Sequence, residues 1–155
     1  MSQMEPAKTN GQIIKVAMVA DQGEIAEAKL AERKAVCMKV KRYARYLQQQ
    51  HTAGLHCIMK VSHKTHIKPE SSRLAQDLQQ HNANELKMLK ASSRQDFDKN
   101  YMNATVQDHQ DALNFLDNAI KESTNPMLTK DLKIGRQHIA AHLEKAKKLQ
   151  QEIGS

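Results

Sequence analysis

The sequence has few of the residues that build sheets, tight turns and disulfide scaffolds. Among 155 residues there is no Trp, and there are only two Phe, three Tyr, five Gly, three Pro and two Cys. Residues that favour helices, such as Ala, Leu, Lys, Gln and Glu, dominate instead. Because strands rely on aromatic and β-branched side chains, this composition predicts an all-α protein. The length is that of one ordinary domain.

Long apolar runs are also missing. No stretch approaches the roughly 20 apolar residues of a membrane span, so we expect no membrane span. The first residues, MSQMEPAKTNGQ, lack the apolar core of a signal peptide. We therefore expect a cytoplasmic protein if the chain is complete, and an exported one if a leader is absent from this sequence.

The two cysteines, Cys37 and Cys57, do not have the spacing of a redox motif or a zinc knuckle. On one continuous helix they would lie roughly 30 Å apart, far beyond the reach of a disulfide. We expect no internal disulfide.

Positive charge is concentrated in one region. The net charge is +7, and residues 29–69 hold ten Lys or Arg against a single acid, Glu32. Such a surface can bind an anionic polymer, or it can simply be a helix face exposed to solvent. The chain has no aromatic stacking platform beside the charge, so we do not expect a nucleic-acid partner. The residues that define this basic surface are Lys39, Lys41, Arg42 and Arg45.

Hydrophobic spacing predicts four long helices. We expect a flexible tail over residues 1–11 and a single domain over residues 12–155. The long helices are predicted from Gln12 to about 35, from about 38 to Pro69, from Asp96 to about 123, and from Pro126 onward. Residues 70–93 have poor helical phase and predict a shorter helix or a broken pair. The pattern predicts an antiparallel four-helix bundle with an extra short helix in the middle connection.

Each long helix carries one ionisable residue within its apolar stripe. These residues are Glu24, His51, His109 and His142. Counted along the helices, the first two lie roughly 20 Å from the turn that joins their helices, and the last two roughly 24 Å from theirs. Three imidazoles and one carboxylate that meet in a core suit one divalent transition metal ion, such as zinc, iron, manganese or copper. The alternative is a metal-free buried polar network.

Several related sites are not expected. A di-iron ferroxidase centre needs Glu-x-x-His motifs, but Gln48, Val106 and Ile139 stand three residues before the three histidines. The sequence contains no nucleophile with a positioned base and no phosphate loop, so we do not predict an enzyme. His138 is a candidate accessory ligand because it is four residues before His142.

Asp98 and Tyr101 are further candidate accessory residues at the start of the third long helix. We expect them to serve in a helix cap and a hydrogen bond at the helix end.

The chain resembles a family of bacterial, often exported, ferritin-like helical bundles described as a domain of unknown function. The resemblance rests on GEIAEAKLAERKA, VKRYARYLQQQH, DFDKNYMNATVQDHQDAL, NPML and HIAAHLEKAKKLQ, in that order. It implies a ferritin-like fold and an exported, periplasmic location. The characteristic polar positions of the family fall on Glu24, His51, Asp98, His109 and His142. At Gln50 and Ala141 the chain lacks the acids that the family commonly has beside its histidines.

Three functions are consistent with these patterns. The first is a non-enzymatic ferritin-like bundle, monomeric or homodimeric, that binds one transition-metal ion in its core. The second is an envelope or stress-related interaction or structural protein whose buried polar network holds no metal. The third is a basic module that binds an anionic polymer.

Overall fold

The computed structural model describes residues 8–154, and every regular element in this range is a helix. The prediction of an all-α protein is confirmed. Residues 70–93, for which the sequence left two alternatives, contain one unbroken helix of 19 residues. The helices are α1 (Asn10–Lys34), α2 (Met38–Thr65), α3 (Arg73–Ala91), α4 (Phe97–Glu122) and α5 (Pro126–Gly154).

Helix α1 begins at Asn10, two residues before its predicted start. Thr9 and Gln12 form a reciprocal capping box there, which satisfies donors at the helix end. The Lys8 ammonium lies 3.5 Å from the Glu122 carboxylate at the end of α4. Residues 8–11 of the predicted tail therefore contact the helical domain, whereas residues 1–7 lie outside the described range.

Helix α2 ends at Thr65, before the predicted stop at Pro69. His66 adopts a left-handed conformation with φ of 58°, which terminates the helix. The chain then runs back past the start of α1, where the Glu70 amide donates to the Gly11 carbonyl at 2.9 Å. A Cβ on Gly11 would lie 2.6 Å from the Lys68 carbonyl oxygen, so this approach requires glycine.

The helices pack in two pairs. Helix α1 lies along α2, α4 lies along α5, and each pair is joined by three residues. Helix α2 also packs against α5, and α3 packs mainly on α1 and touches α4. None of the helices in residues 8–154 is both long and apolar enough to cross a membrane.

Buried apolar side chains form two separate clusters. The first includes Leu47 of α2 and Met102 of α4, and the second includes Ile58 of α2 and Leu116 of α4. On each of these helices a histidine lies between the two clusters in sequence. The core therefore consists of two apolar ends and a polar layer between them.

The basic surface is partly neutralised by acids of neighbouring helices. Lys39 pairs with Glu152 at 3.0 Å, and Arg45 pairs with Glu32 at 3.0 Å. Arg42 is exposed and Lys41 is half-buried. Cys37 and Cys57 are free.

Asp98 connects α4 to the turn between α1 and α2. Its carboxylate accepts hydrogen bonds from the amides of Val36 (3.0 Å) and Cys37 (2.7 Å). Cys37 precedes α2 and provides no side-chain cap, so Asp98 caps α2 from another helix and not its own helix, α4. Tyr101 is fully buried, and its ring stacks on Phe97 at a centroid distance of 6.1 Å.

Replacement of Asp98 should destabilise the fold. We expect Asp98→Ala to lower the free energy of unfolding by about 1–3 kcal/mol, because two backbone donors lose a charged acceptor. Asp96→Ala is the matched control, since Asp96 is exposed and its side chain makes no cap. Urea unfolding measures both variants, and equal stability losses would contradict the capping role.

Candidate metal centre

Three histidines from three helices meet in the polar layer. His51 of α2, His109 of α4 and His142 of α5 are all buried, with at most 4% of their surface exposed. Their ring centroids lie 5.2–5.6 Å apart. One ring nitrogen from each lies within 4.8 Å of the other two. We call this group the histidine centre.

Hydrogen bonds that the Nδ1–H groups donate to oxygen acceptors orient two of the histidines. The Nδ1 of His109 lies 2.8 Å from the Thr105 carbonyl oxygen, which can only accept, so this nitrogen carries the proton. The Nδ1 of His51 lies 2.9 Å from the Asp21 carboxylate, which also accepts when ionised. In the neutral tautomers set by these bonds, both Nε2 atoms carry lone pairs.

Those two Nε2 atoms face each other at a distance of 3.3 Å. Two lone pairs cannot form a hydrogen bond, so a metal-free centre needs an extra proton on His51 or Asp21. Two nitrogens bound to one ion at 2.0–2.1 Å with a tetrahedral angle would be roughly 3.3–3.4 Å apart. The separation therefore suits a shared cation.

The His142 side chain completes the group without a hydrogen bond to any of the described residues. Neither of its ring nitrogens has a hydrogen-bond partner among the described residues, although the side chain is only 2% exposed. Its ring makes a T-shaped contact with the Tyr46 ring at a centroid distance of 5.4 Å, and its backbone carbonyl accepts from the Tyr43 hydroxyl at 2.8 Å. These contacts hold the residue in place and leave its nitrogens available.

Burial keeps two of the imidazoles neutral. Burial, and then the neighbouring His51, lower the pKa of His109 to about 4. The same two causes lower the pKa of His142 to about 3. Neutral imidazole is the form that binds metal ions, so both side chains are ready to do so at neutral pH.

The carboxylate beside the histidines is Asp21 and not the predicted Glu24. Both residues lie on one face of α1 because they are three positions apart. The potential ligand atoms of Glu24 group with those of Glu27 and Asp108, not with the three ring nitrogens. Asp21 is not among the ligands predicted from the sequence, although its spacing from Glu24 places it on the same face of α1. Burial raises the pKa of Asp21.

A cavity of about 630 Å³ connects these groups. The accessory candidate His138 is exposed and lines this cavity, but it does not belong to the histidine centre. Asp98 binds the turn between α1 and α2, as described above. The buried Tyr101 hydroxyl has no hydrogen-bond partner among the described residues, so the hydrogen bond predicted for Tyr101 at the helix end is not formed, and the ring serves in packing against Phe97. The polar residues that line the cavity include Asp21, Glu24, His51, Asp108, His109 and His142.

Comparison with known proteins identifies the family. Residues 1–149 match the model of the domain of unknown function DUF4142, so the chain belongs to the DUF4142 family, and the resemblance is confirmed. A solved structure titled "CopM in the Cu(II)-bound form" is similar, with a TM-score of 0.73. The identity is 16%, and the match covers 95% of this chain and 99% of that one, which shows a shared fold. No curated protein matches the sequence.

The buried imidazoles should affect the pH dependence of stability. In the unfolded state the His109 imidazole binds a proton near pH 6.5, whereas in the folded state it does so only near pH 4. In metal-free protein this histidine should therefore lower the free energy of unfolding by up to about 1.4 kcal/mol per pH unit as the pH falls from 6.5 towards 5. Glu27 and Glu85 act in the opposite direction, because burial raises their pKa to about 12 and about 8.

The measurable quantity is thus the difference between variant and parent. In urea unfolding at pH 6.5 and pH 5, His109→Leu should lose the contribution of His109. His63→Gln, at an exposed position, should retain the parental pH dependence. The same pH dependence in His109→Leu and the parent would show that His109 is not held neutral by burial.

Proposed function

We propose that this member of the DUF4142 family is a non-enzymatic copper-binding protein. In this proposal His51, His109 and His142 hold one copper ion inside a ferritin-like antiparallel four-helix bundle. The bundle consists of α1, α2, α4 and α5, and α3 is the extra helix of the middle connection. The observation that carries the proposal is the pair of Nε2 atoms that face each other at 3.3 Å.

The donor set fits a transition metal. His51 and His109 both commit Nδ1 to an oxygen acceptor, which leaves Nε2 for a cation. The contact between His51 and Asp21 is the carboxylate–histidine arrangement that commonly supports metal-bound imidazole. His142 contributes a third neutral imidazole whose nitrogens have no other partner in the described residues.

Copper is the metal that these donors and the structural neighbour favour together. Imidazole suits copper, zinc, iron and nickel, and among divalent ions Cu(II) binds most tightly to a given nitrogen site. The neighbour CopM was solved with Cu(II) bound. Its 16% identity to this chain supports the choice of metal only by analogy of fold.

A metal-free polar network explains the same contacts less completely. It needs an additional proton between His51 and Asp21, and it leaves both nitrogens of buried His142 unsatisfied. A buried polar group without a partner costs about 1–3 kcal/mol. One cation removes the need for the additional proton and gives one of the two His142 nitrogens a partner.

Copper binding should depend on the buried histidines. We expect metal-free protein to bind about one Cu(II) tightly per chain, and His109→Ala or His142→Gln to reduce the affinity at least a hundredfold. Equilibrium dialysis with elemental analysis measures the stoichiometry, and electron paramagnetic resonance reports nitrogen ligation. Circular dichroism verifies that the variants remain helical.

The matched control is His63→Ala, which removes an exposed histidine from the SHKTH segment. It should retain the tight site. Tight binding that persists in both core variants, or that disappears in His63→Ala alone, would overturn the proposal.

Asp21 should support the centre without binding the ion. Asp21→Asn keeps the shape of the side chain but removes the charge that orients His51, so we expect a 10-fold to 100-fold loss of Cu(II) affinity at unchanged stoichiometry. Asp77→Asn is the control, because Asp77 lines the same cavity but is exposed and pairs with Arg73. Competition with a chromophoric chelator measures both affinities, and equal values would exclude this role.

A further inference from the structure

Five polar side chains from three helices form a second group in the polar layer. Glu24 and Glu27 come from α1, His81 and Glu85 from α3, and Asp108 from α4. One carboxylate oxygen each of Glu24, Glu27 and Asp108 lies within 4.8 Å of the other two, and one potential ligand atom each of His81, Glu85 and Asp108 meets the same limit. We call these five residues the carboxylate cluster. It lies beside the histidine centre, because Asp108 directly precedes His109.

Glu27 lies at the buried side of this cluster. Its side chain is 2% exposed, and neither carboxyl oxygen receives a hydrogen bond from a donor in the described residues. Its carboxyl reaches that of Glu85, and two carboxyls can share a hydrogen bond only when one of them is protonated. The buried Oε2 of Glu24 likewise has no donor. Oxygens that lack donors converge on one place.

Little positive charge compensates the cluster. Among the ion pairs of the described residues, only the His81 imidazole contacts it, at 3.0 Å from Glu85 and 3.0 Å from Asp108. That imidazole is 48% exposed and pairs with Glu85 and Asp108, so it does not compensate the charge of Glu27. Four carboxyls therefore share one imidazole in a largely buried place. Burial of unpaired charge is costly unless a proton or a cation is bound.

We propose that Glu24, Glu27 and Asp108 form a second cation site that is distinct from the histidine centre. The cation is a divalent ion that prefers oxygen ligands, and Mn²⁺ is its representative. Ligand oxygens around such an ion lie about 2.0–2.6 Å from it, hence at most about 5 Å from each other. The three carboxylates meet this limit. Glu85 lies close enough to Glu27 to support it in place of a shared proton.

Access and selectivity follow from the same geometry. Glu24 and Asp108 line the cavity that also reaches the histidines, so an ion can enter without unfolding of the core. The donors differ completely between the two sites: neutral nitrogens on one side and carboxylate oxygens on the other. Oxygen donors suit Mn²⁺, Ca²⁺ and Mg²⁺, whereas imidazoles suit copper and zinc. The two sites can therefore hold different metals at the same time. Glu24, predicted from sequence as a ligand beside the histidines, is assigned here to the second site.

The experiment is a titration of the metal-free full chain with Mn²⁺. The spectrum of free Mn²⁺ in electron paramagnetic resonance decreases on binding, and equilibrium dialysis gives the stoichiometry. We expect about one saturable Mn²⁺ per chain. Glu27→Gln, which preserves shape and removes one anionic ligand, should weaken binding at least tenfold. Glu24→Gln provides a second variant should Glu27→Gln lose helicity.

Two controls make the outcome specific. Glu32→Gln, on the same helix but paired with Arg45 at the surface, should bind Mn²⁺ as the parent does. His142→Gln, which removes a proposed copper ligand, should change Mn²⁺ affinity by less than threefold.

Absence of saturable Mn²⁺ binding, or equal binding by the parent and folded Glu27→Gln and Glu24→Gln, would overturn the second site. Loss of Mn²⁺ binding in His142→Gln would show a single shared centre and would overturn the claim of two sites. Copper binding by the parent is measured separately, so failure of one proposal is distinguishable from failure of the other.

Discussion

The structure depends on the cost of removing ionisable groups from water. Between two apolar clusters, α1, α2, α4 and α5 place imidazoles and carboxyls where solvent cannot satisfy them fully. Burial favours the neutral form of several of these side chains: it lowers the pKa of His109 and His142 and raises that of Glu27. Ionisable groups are retained in a protein core when they form hydrogen bonds or ion pairs with each other or bind a ligand such as a metal ion. Three imidazoles on one side of the layer and four carboxyls on the other are the groups for which cation binding is proposed above.

The fold was largely predictable from the sequence because helical periodicity is a local signal. Four long helices, their approximate ends and a helical middle segment all follow from apolar spacing and from the positions of Pro. The start of α1 and the end of α2 differ from the predicted bounds because particular residues cap the helices there. Thr9 begins α1 early through its capping box, and the left-handed His66 ends α2 before Pro69. Periodicity contains no information on either feature.

The site was predictable only in part, for a physical reason. Helical phase shows which residues face inward, and His51, His109 and His142 were found in this way. It does not fix the rotation of α1 about its axis finely enough to choose between Asp21 and Glu24, which lie on one face. The contribution of α3 was not foreseen either, because the phase of residues 70–93 is poor. His81 and Glu85 approach Asp108 only through tertiary packing.

The origin of the three imidazoles has a thermodynamic consequence. His51 belongs to the first helix pair, and His109 and His142 belong to the second, so an ion bound to all three would fasten one half of the chain to the other. A ligand that binds only the folded state stabilises it by about 2.7 kcal/mol at a hundred times its dissociation constant. The free energy of unfolding of the protein would then increase with the concentration of free metal ion. Packing of the α1–α2 pair against the α4–α5 pair would therefore be more stable when metal is available.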